Sequence, residues 1–300
     1  MGSSVAMKLV GRVRQAIVRF AVGLLTKPLK RYTLKYPNDL AELKRQIRKG
    51  DVILVEGNER VSEVIKYLTQ SSWSHSALYV GDEPIKRDPE LRLRLASEHG
   101  EEANYMLVEA LVQSGVVLTP LSRYRDFNLR ICRPYRLSEQ DLKVVIDEAL
   151  ASVGRTYDLK NIVDLARYFL PVSLVPARLR RAALHLGSGD PTRAICSSMI
   201  AECFHKVRFP ILPKIEPLPP GYPIAARPRR ILGRLRSVSR PLGLYRMTPA
   251  SIVTPRDFDI SPYFDIIKFN LVAGARFDYR QIIWAEDEPE ESSGLSKTAL

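Results

Sequence analysis

The sequence predicts an α+β fold in which an antiparallel β-sheet, open or closed into a barrel, packs against helices. Three observations predict it. Apolar runs of strand length, bounded by turn residues, recur at residues 51–57, 75–81, 105–112 and 115–121. The last two runs are separated by Gln113-Ser114, the spacing of a hairpin, which makes neighbouring strands antiparallel. Helically spaced apolar residues fill 138–153 and 194–207, outside those runs.

Taken in order, residues 8–26 place Val10, Val13, Ile17, Ala21, Leu24 and Leu25 on one helical face, with Lys8, Arg12 and Arg19 largely on the other. A basic amphipathic helix of that kind suits an anionic membrane interface and a berth on the protein's own surface equally well. Residues 27–37 read as a linker. A short helix over 39–48, closed by Gly50, leads into the strand 51–57, and a helix covers 59–69. The strand 75–81 follows Ser71-Ser72-Trp73-Ser74, and the polar stretch 82–104 reads as a loop with at most one helical turn. After the hairpin, 128–135 forms a further strand. Ser138 then caps a helix with Asp141 three residues on, a near capping box, and Leu142, Val145, Ile146 and Leu150 share one face before Gly154 ends it.

Helices over 158–170 and 177–186 flank the break made by Pro171 and Pro176. The helix over 194–207 carries the stripe Met199, Ile200, Cys203, Phe204 and Val207. Residues 210–250, rich in Pro and Arg, read as an irregular insertion. Strand-like patterning returns at 264–272 and 276–284. The chain thus divides into a basic helix and linker over 1–36, one domain over 37–284, and an acidic, disordered tail over 285–300.

Bulk composition narrows the function. The 300 residues are 45% apolar and 26% charged, enough for a sizeable core. Three cysteines are too few for a disulfide framework, and no Cys/His spacing suits zinc, so no metal or cofactor is expected. The net charge of +13 lies in two acid-free blocks, 1–36 and 221–246, outside the segments that read as core. The second block has only Tyr222 and Tyr245 as aromatics and no nucleic-acid motif, so nucleic acid is not an expected partner. No apolar run reaches the length of a membrane span, and Leu25 runs into Thr26-Lys27-Pro28 rather than a cleavage site. The expectation is a cytoplasmic protein, peripheral at the inner membrane face through residues 1–36.

A thiol becomes a nucleophile when an imidazole or a helix N-terminus lowers its pKa, and the imidazole needs a third polar group to orient it. His75 opens a strand, Glu109 lies in the strand pair that follows, and Cys196 sits where a proline-bearing turn gives way to an amphipathic helix. Each has a plain structural alternative: a packed histidine, a strand carboxylate, a small apolar cysteine. Cys132 and Cys203 read as core.

Four segments occur in one order: Gly50-Asp51-Val52-Ile53-Leu54, Trp73-Ser74-His75-Ser76-Ala77-Leu78-Tyr79-Val80-Gly81, Val108-Glu109-Ala110 and Ile195-Cys196-Ser197-Ser198-Met199-Ile200. Together they resemble the circularly permuted, NlpC-type papain-like cysteine hydrolases, particularly the YiiX/YebB-like branch. Gly154-Arg155-Thr156-Tyr157-Asp158 and Thr254-Pro255-Arg256-Asp257-Phe258 through Ser261-Pro262 resemble further segments of that branch. The basic N-terminal helix and the Arg-rich block have no counterpart in it. The resemblance implies His75 as base, Glu109 as its orienting residue and Cys196 as nucleophile at a helix N-terminus. Tyr157 stands as a donor to the thiol or the developing oxyanion, or as a tyrosine anchoring its helix.

The expected activity is a cysteine hydrolase or acyltransferase that takes an amide-, ester- or thioester-containing substrate, peptide or lipid, through an acyl-enzyme. The rival from another class is a non-catalytic lipid- or peptide-binding module on the same scaffold.

Overall fold

A computed structural model of the chain describes residues 34, 38–111, 114–155, 195–217 and 244–268. Helix α1 (Leu40–Gln46) starts at Asp39, whose carboxylate accepts from the Ala41 and Glu42 backbone N–H groups at 2.9 and 3.1 Å. Gly50 turns the chain into β1 (Val52–Glu56) at φ +87°, where a Cβ would also strike the Leu142 side chain. Helix α2 (Arg60–Thr69) and β2 (His75–Gly81) follow, then β3 (Met106–Leu111), β4 (Gly115–Pro120) and β5 (Asn128–Pro134).

These strands and a short C-terminal strand form one antiparallel sheet, ordered β4-β3-β2-β1-β5-β8, which is open among the described residues. The outermost strand, β8 (Phe264–Ile267), pairs with β5. The apolar run of β1 has its cause here: Val52 and Leu54 face one core, Ile53 and Val55 the other, and none is exposed beyond 1%. The first core lies under α5 (Glu139–Ser152) and α6 (Ile195–Lys206); the second is closed by α1 and the 3₁₀ turn Leu121–Tyr124.

Ser138 caps α5 by accepting from the Asp141 N–H at 3.1 Å, as its spacing predicts. Met199, Ile200, Cys203 and Phe204 are the buried stripe of α6. Phe204 stands 5.5 Å, centroid to centroid, from both Phe209 and Phe264, and Phe264 meets Phe258 of α7 (Pro255–Asp259) edge-on. This aromatic cluster ties the end of α6 to β8, while the rest of α6 packs on β2 and β3.

The segment 82–104 differs from the expected loop. It holds α3 (Glu83–Arg87), α4 (Pro89–His99) and a 3₁₀ turn, Gly100–Asn104. Asp88 caps α4 by accepting from the Glu90 and Leu91 N–H groups, with Pro89 at the first helical position. The insertion over 210–250 is also not wholly irregular: β6 (Lys214–Glu216) and β7 (Leu244–Arg246) pair as a two-stranded ribbon at its ends. The amphipathic stretch 8–26, the helices over 158–170 and 177–186, Tyr157, residues 218–243, the strand over 276–284 and the acidic tail lie outside the described residues.

Candidate active site

His75 is the first residue of β2, directly opposite Val55 of β1, and Glu109 sits on β3 opposite Ala77. Side chains at 75 and 77 share one face of β2, so the β2–β3 register brings the His75 ring to the Glu109 carboxylate. His75 Nε2 meets Glu109 Oε2 at 2.5 Å. The ring's other nitrogen, Nδ1, is left for sulfur, and Cys196 in the first described turn of α6 forms a hydrogen bond with the ring. The three residues singled out in the sequence, far apart along the chain, therefore meet at one end of the sheet.

Glu109 is wholly buried. A lone carboxylate there would be costly, and three donors answer the cost. Thr119 Oγ1 donates to Oε1 at 2.6 Å, while the Tyr124 hydroxyl shares Oε2 with the imidazole. The Tyr124 ring also stands 6.1 Å from the His75 ring, tilted against it. Burial alone would raise the Glu109 pKa; the His75 hydrogen bond and charge, then Thr119 and Tyr124, bring it below the ordinary carboxylate value.

The same balance governs the pair. Burial works against a charged imidazole, yet the Cys196 thiolate and then Glu109 outweigh it and push His75 up to about 10. Burial works against a thiolate, yet the His75 charge and hydrogen bond, followed by the Ser76 backbone N–H and hydroxyl, hold Cys196 below the ordinary thiol value. Displaced in opposite directions, the two groups favour the thiolate–imidazolium form of the pair over the neutral one. Ser76 is fully buried, and its Oγ has no hydrogen-bond partner of ordinary geometry among the described residues, which leaves it free to turn toward the sulfur.

Around this centre, Gly57 is the close approach that seats the end of β1. Its N–H donates to Ser74 Oγ at 2.9 Å, and a Cβ there would lie 2.3 Å from Ser62 Oγ. The carboxyl of Glu59, raised chiefly by burial and lowered by the charges of His75 and Arg123, is a further charged neighbour of the imidazole. The other thiols are unlike Cys196. Burial pushes Cys132 far up and Cys203 up to about 12, and Cys203 Sγ donates to the Met199 carbonyl at 3.3 Å, a core cysteine as its spacing predicts.

Reading the sequence did not identify Thr119, Tyr124 or Ser76 as parts of the site. Thr119 was within reach of it: the short link after Leu111 pairs Leu111 with Gly115, which sets Glu109 opposite Val117 and Thr119 one pleat along on the same face. Tyr124 lies in a turn that no periodicity connects to β3. Among the described residues no cluster of His, Cys, Asp and Glu is arranged to hold a metal, and no helix is long and apolar enough to cross a membrane.

Residues 46–169 match the family of permuted papain-like amidases, YaeF/YiiX, C92; that range contains His75 and Glu109 and ends before Cys196. Among solved structures, the chain is similar to the crystal structure of the metalloprotein yiiX from Escherichia coli O157:H7, at 14% identity and a TM-score of 0.40, over 75% of this chain and 98% of that one. No curated protein matches it. The mixed architecture, with its antiparallel sheet, is that of a permuted papain-like protein. Over residues 46–169 the chain is thus similar to the permuted papain-like amidases of the YaeF/YiiX type.

Proposed function

We propose that this chain cleaves an amide, or a related ester or thioester, with Cys196 as nucleophile, His75 as general base and acid, and Glu109 as the residue that orients the imidazole. The observation that supports the reading is the single imidazole held between a wholly buried carboxylate at 2.5 Å and a thiol whose pKa it lowers. In this mechanism the Cys196 thiolate attacks the carbonyl carbon, a C–S bond forms, and the oxygen takes up the negative charge. The Cys196 backbone N–H and one further donor stabilise that oxyanion. The His75 imidazolium gives its proton to the leaving nitrogen as the C–N bond breaks, leaving an acyl-enzyme. Neutral His75 then takes a proton from water, which attacks the thioester and frees the acid and the thiolate.

The substrate is a peptide-like amide or an acyl lipid. The basic amphipathic stretch 8–26 favours work against an anionic membrane surface, with the protein peripheral to it. A thiol-directed acyl probe tests the chemistry: wild type should be labelled and Cys196→Ala should not, with the circular dichroism spectrum unchanged. Equal labelling of the two would remove Cys196 from the role and leave the binding-module reading standing.

A further inference from the structure

A cavity of about 510 Å³ that the chemistry above does not use is lined by residues of β5, of α7 and of the segment before β2. Trp73, two residues before His75, lines it, as does Leu129. Leu129 pairs with Val55, and Val55 pairs with His75, so two strand spacings, about 10 Å, separate the cavity from the catalytic strand position. A group held there belongs to the part of a substrate beyond the scissile bond.

The lining is polar and carries two guanidiniums, Arg130 and Arg256, with one carboxylate, Asp259. Asp259 is already satisfied: Oδ1 accepts from Arg130 Nη1 and Oδ2 from Trp73 Nε1, the latter at 3.0 Å. Arg130 is further fixed over the Trp73 ring, 5.0 Å from its centroid. Arg256 on α7 has no ion pair or side-chain hydrogen bond among the described residues, so it is the uncompensated charge of the cavity. The Ser71 and Ser72 hydroxyls join the lining. Ser71 Oγ accepts from the Trp73 N–H at 3.1 Å, which leaves its own proton to donate.

A fork of guanidinium N–H donors flanked by hydroxyls is suited to an oxyanion. We propose that this cavity is a substrate subsite for a carboxylate or phosphate group, with Arg256 as its principal ligand and Arg130, held by Trp73 and Asp259, as its fixed wall. The proposal rests on the hydrolase reading above, since it assigns the cavity to that reaction's substrate.

Three maleimides with equal six-carbon arms test it, ending in a carboxamide, a carboxylate or a phosphonate. All should alkylate Cys196, and at least one anionic probe should react about tenfold faster than the carboxamide, the size expected for a charge-assisted hydrogen bond. The better anionic arm identifies the group. Arg256→Gln should bring the anionic rates down to the neutral one and leave the neutral rate unchanged, whereas Arg94→Gln, an exposed change on α4, should alter none of them. Equal rates for all three arms in wild type, or a preference that survives Arg256→Gln, would overturn the subsite. Failure of the carboxamide probe to modify Cys196 would strike the hydrolase reading instead. Independently of the thiol, inorganic phosphate should change tryptophan fluorescence saturably through Trp73, and Arg256→Gln should weaken that response about tenfold; an undiminished response would overturn the proposal by itself.

Discussion

Glu109→Gln isolates the part played by the buried carboxylate. The change keeps the shape of the side chain and removes only its charge, at a position that is itself closed to water. In the native arrangement Oε2 accepts from His75 Nε2 at 2.5 Å and from Tyr124, and Oε1 accepts from Thr119 at 2.6 Å. The two hydroxyls can rotate to meet an amide. The imidazolium cannot, because its proton on Nε2 needs an acceptor with negative charge to remain favourable. A hydrogen bond to a charged partner contributes about 1.5–3 kcal/mol, and each 1.4 kcal/mol is tenfold in rate, so the variant should alkylate with iodoacetamide about 10 to 150 times more slowly at neutral pH. Because the loss falls on the imidazolium, raising the pH should restore much of the rate by ionising the thiol directly. Tyr124→Phe, which removes one donor and leaves the charge, should cost less. A Glu109→Gln protein that folds normally and reacts at the wild-type rate across the pH range would refute the argument that the carboxylate sustains the pair.

Peptide mapping after brief iodoacetamide treatment at neutral pH should find the adduct on Cys196 alone, since burial raises the Cys132 and Cys203 thiols; equal modification of Cys203 would contradict their environments. Arg133→Met should destabilise the fold by about 3–5 kcal/mol, because Arg133 holds the buried Asp51 carboxylate at 2.7 and 2.9 Å and removal leaves that charge unpaired. Asp51 already has its folded pKa raised above 3.8 by burial, so the penalty should grow as pH rises and ease toward acid; denaturant melts at several pH values that show a penalty independent of pH would contradict the pair. Chains with and without residues 1–36 should differ in flotation with anionic vesicles, the full chain rising and the shortened one staying behind in a salt-sensitive way; equal flotation would defeat the membrane expectation.

What could be read from the sequence follows from the length scale of each interaction. The strands at 52–56 and 75–81 were legible because an unbroken apolar run fits a strand buried on both faces, and both faces are indeed covered. Helix α4 was not legible from periodicity, since Leu91-Arg92-Leu93-Arg94-Leu95 alternates like a strand; Leu95 is buried while Leu93 is 75% exposed. Its Asp88-Pro89 start was the signal to weigh more heavily. Within the site, His75, Glu109 and Cys196 were named through ordered motifs, not spacing, because 34 residues separate the first two and contact between them depends on sheet register. Tyr124 reaches Glu109 only through the turn after β4, a tertiary contact that no local pattern encodes.

The thiolate itself can be titrated. Difference ultraviolet absorbance between wild type and Cys196→Ala, followed from acid to alkaline pH, reports the ionisation of this one sulfur. The account predicts a thiolate band whose midpoint lies below the ordinary thiol value of 9.0 and rises in His75→Ala. A band that emerges only above that value, unaffected by the loss of His75, would contradict the pairing on which the proposed chemistry depends.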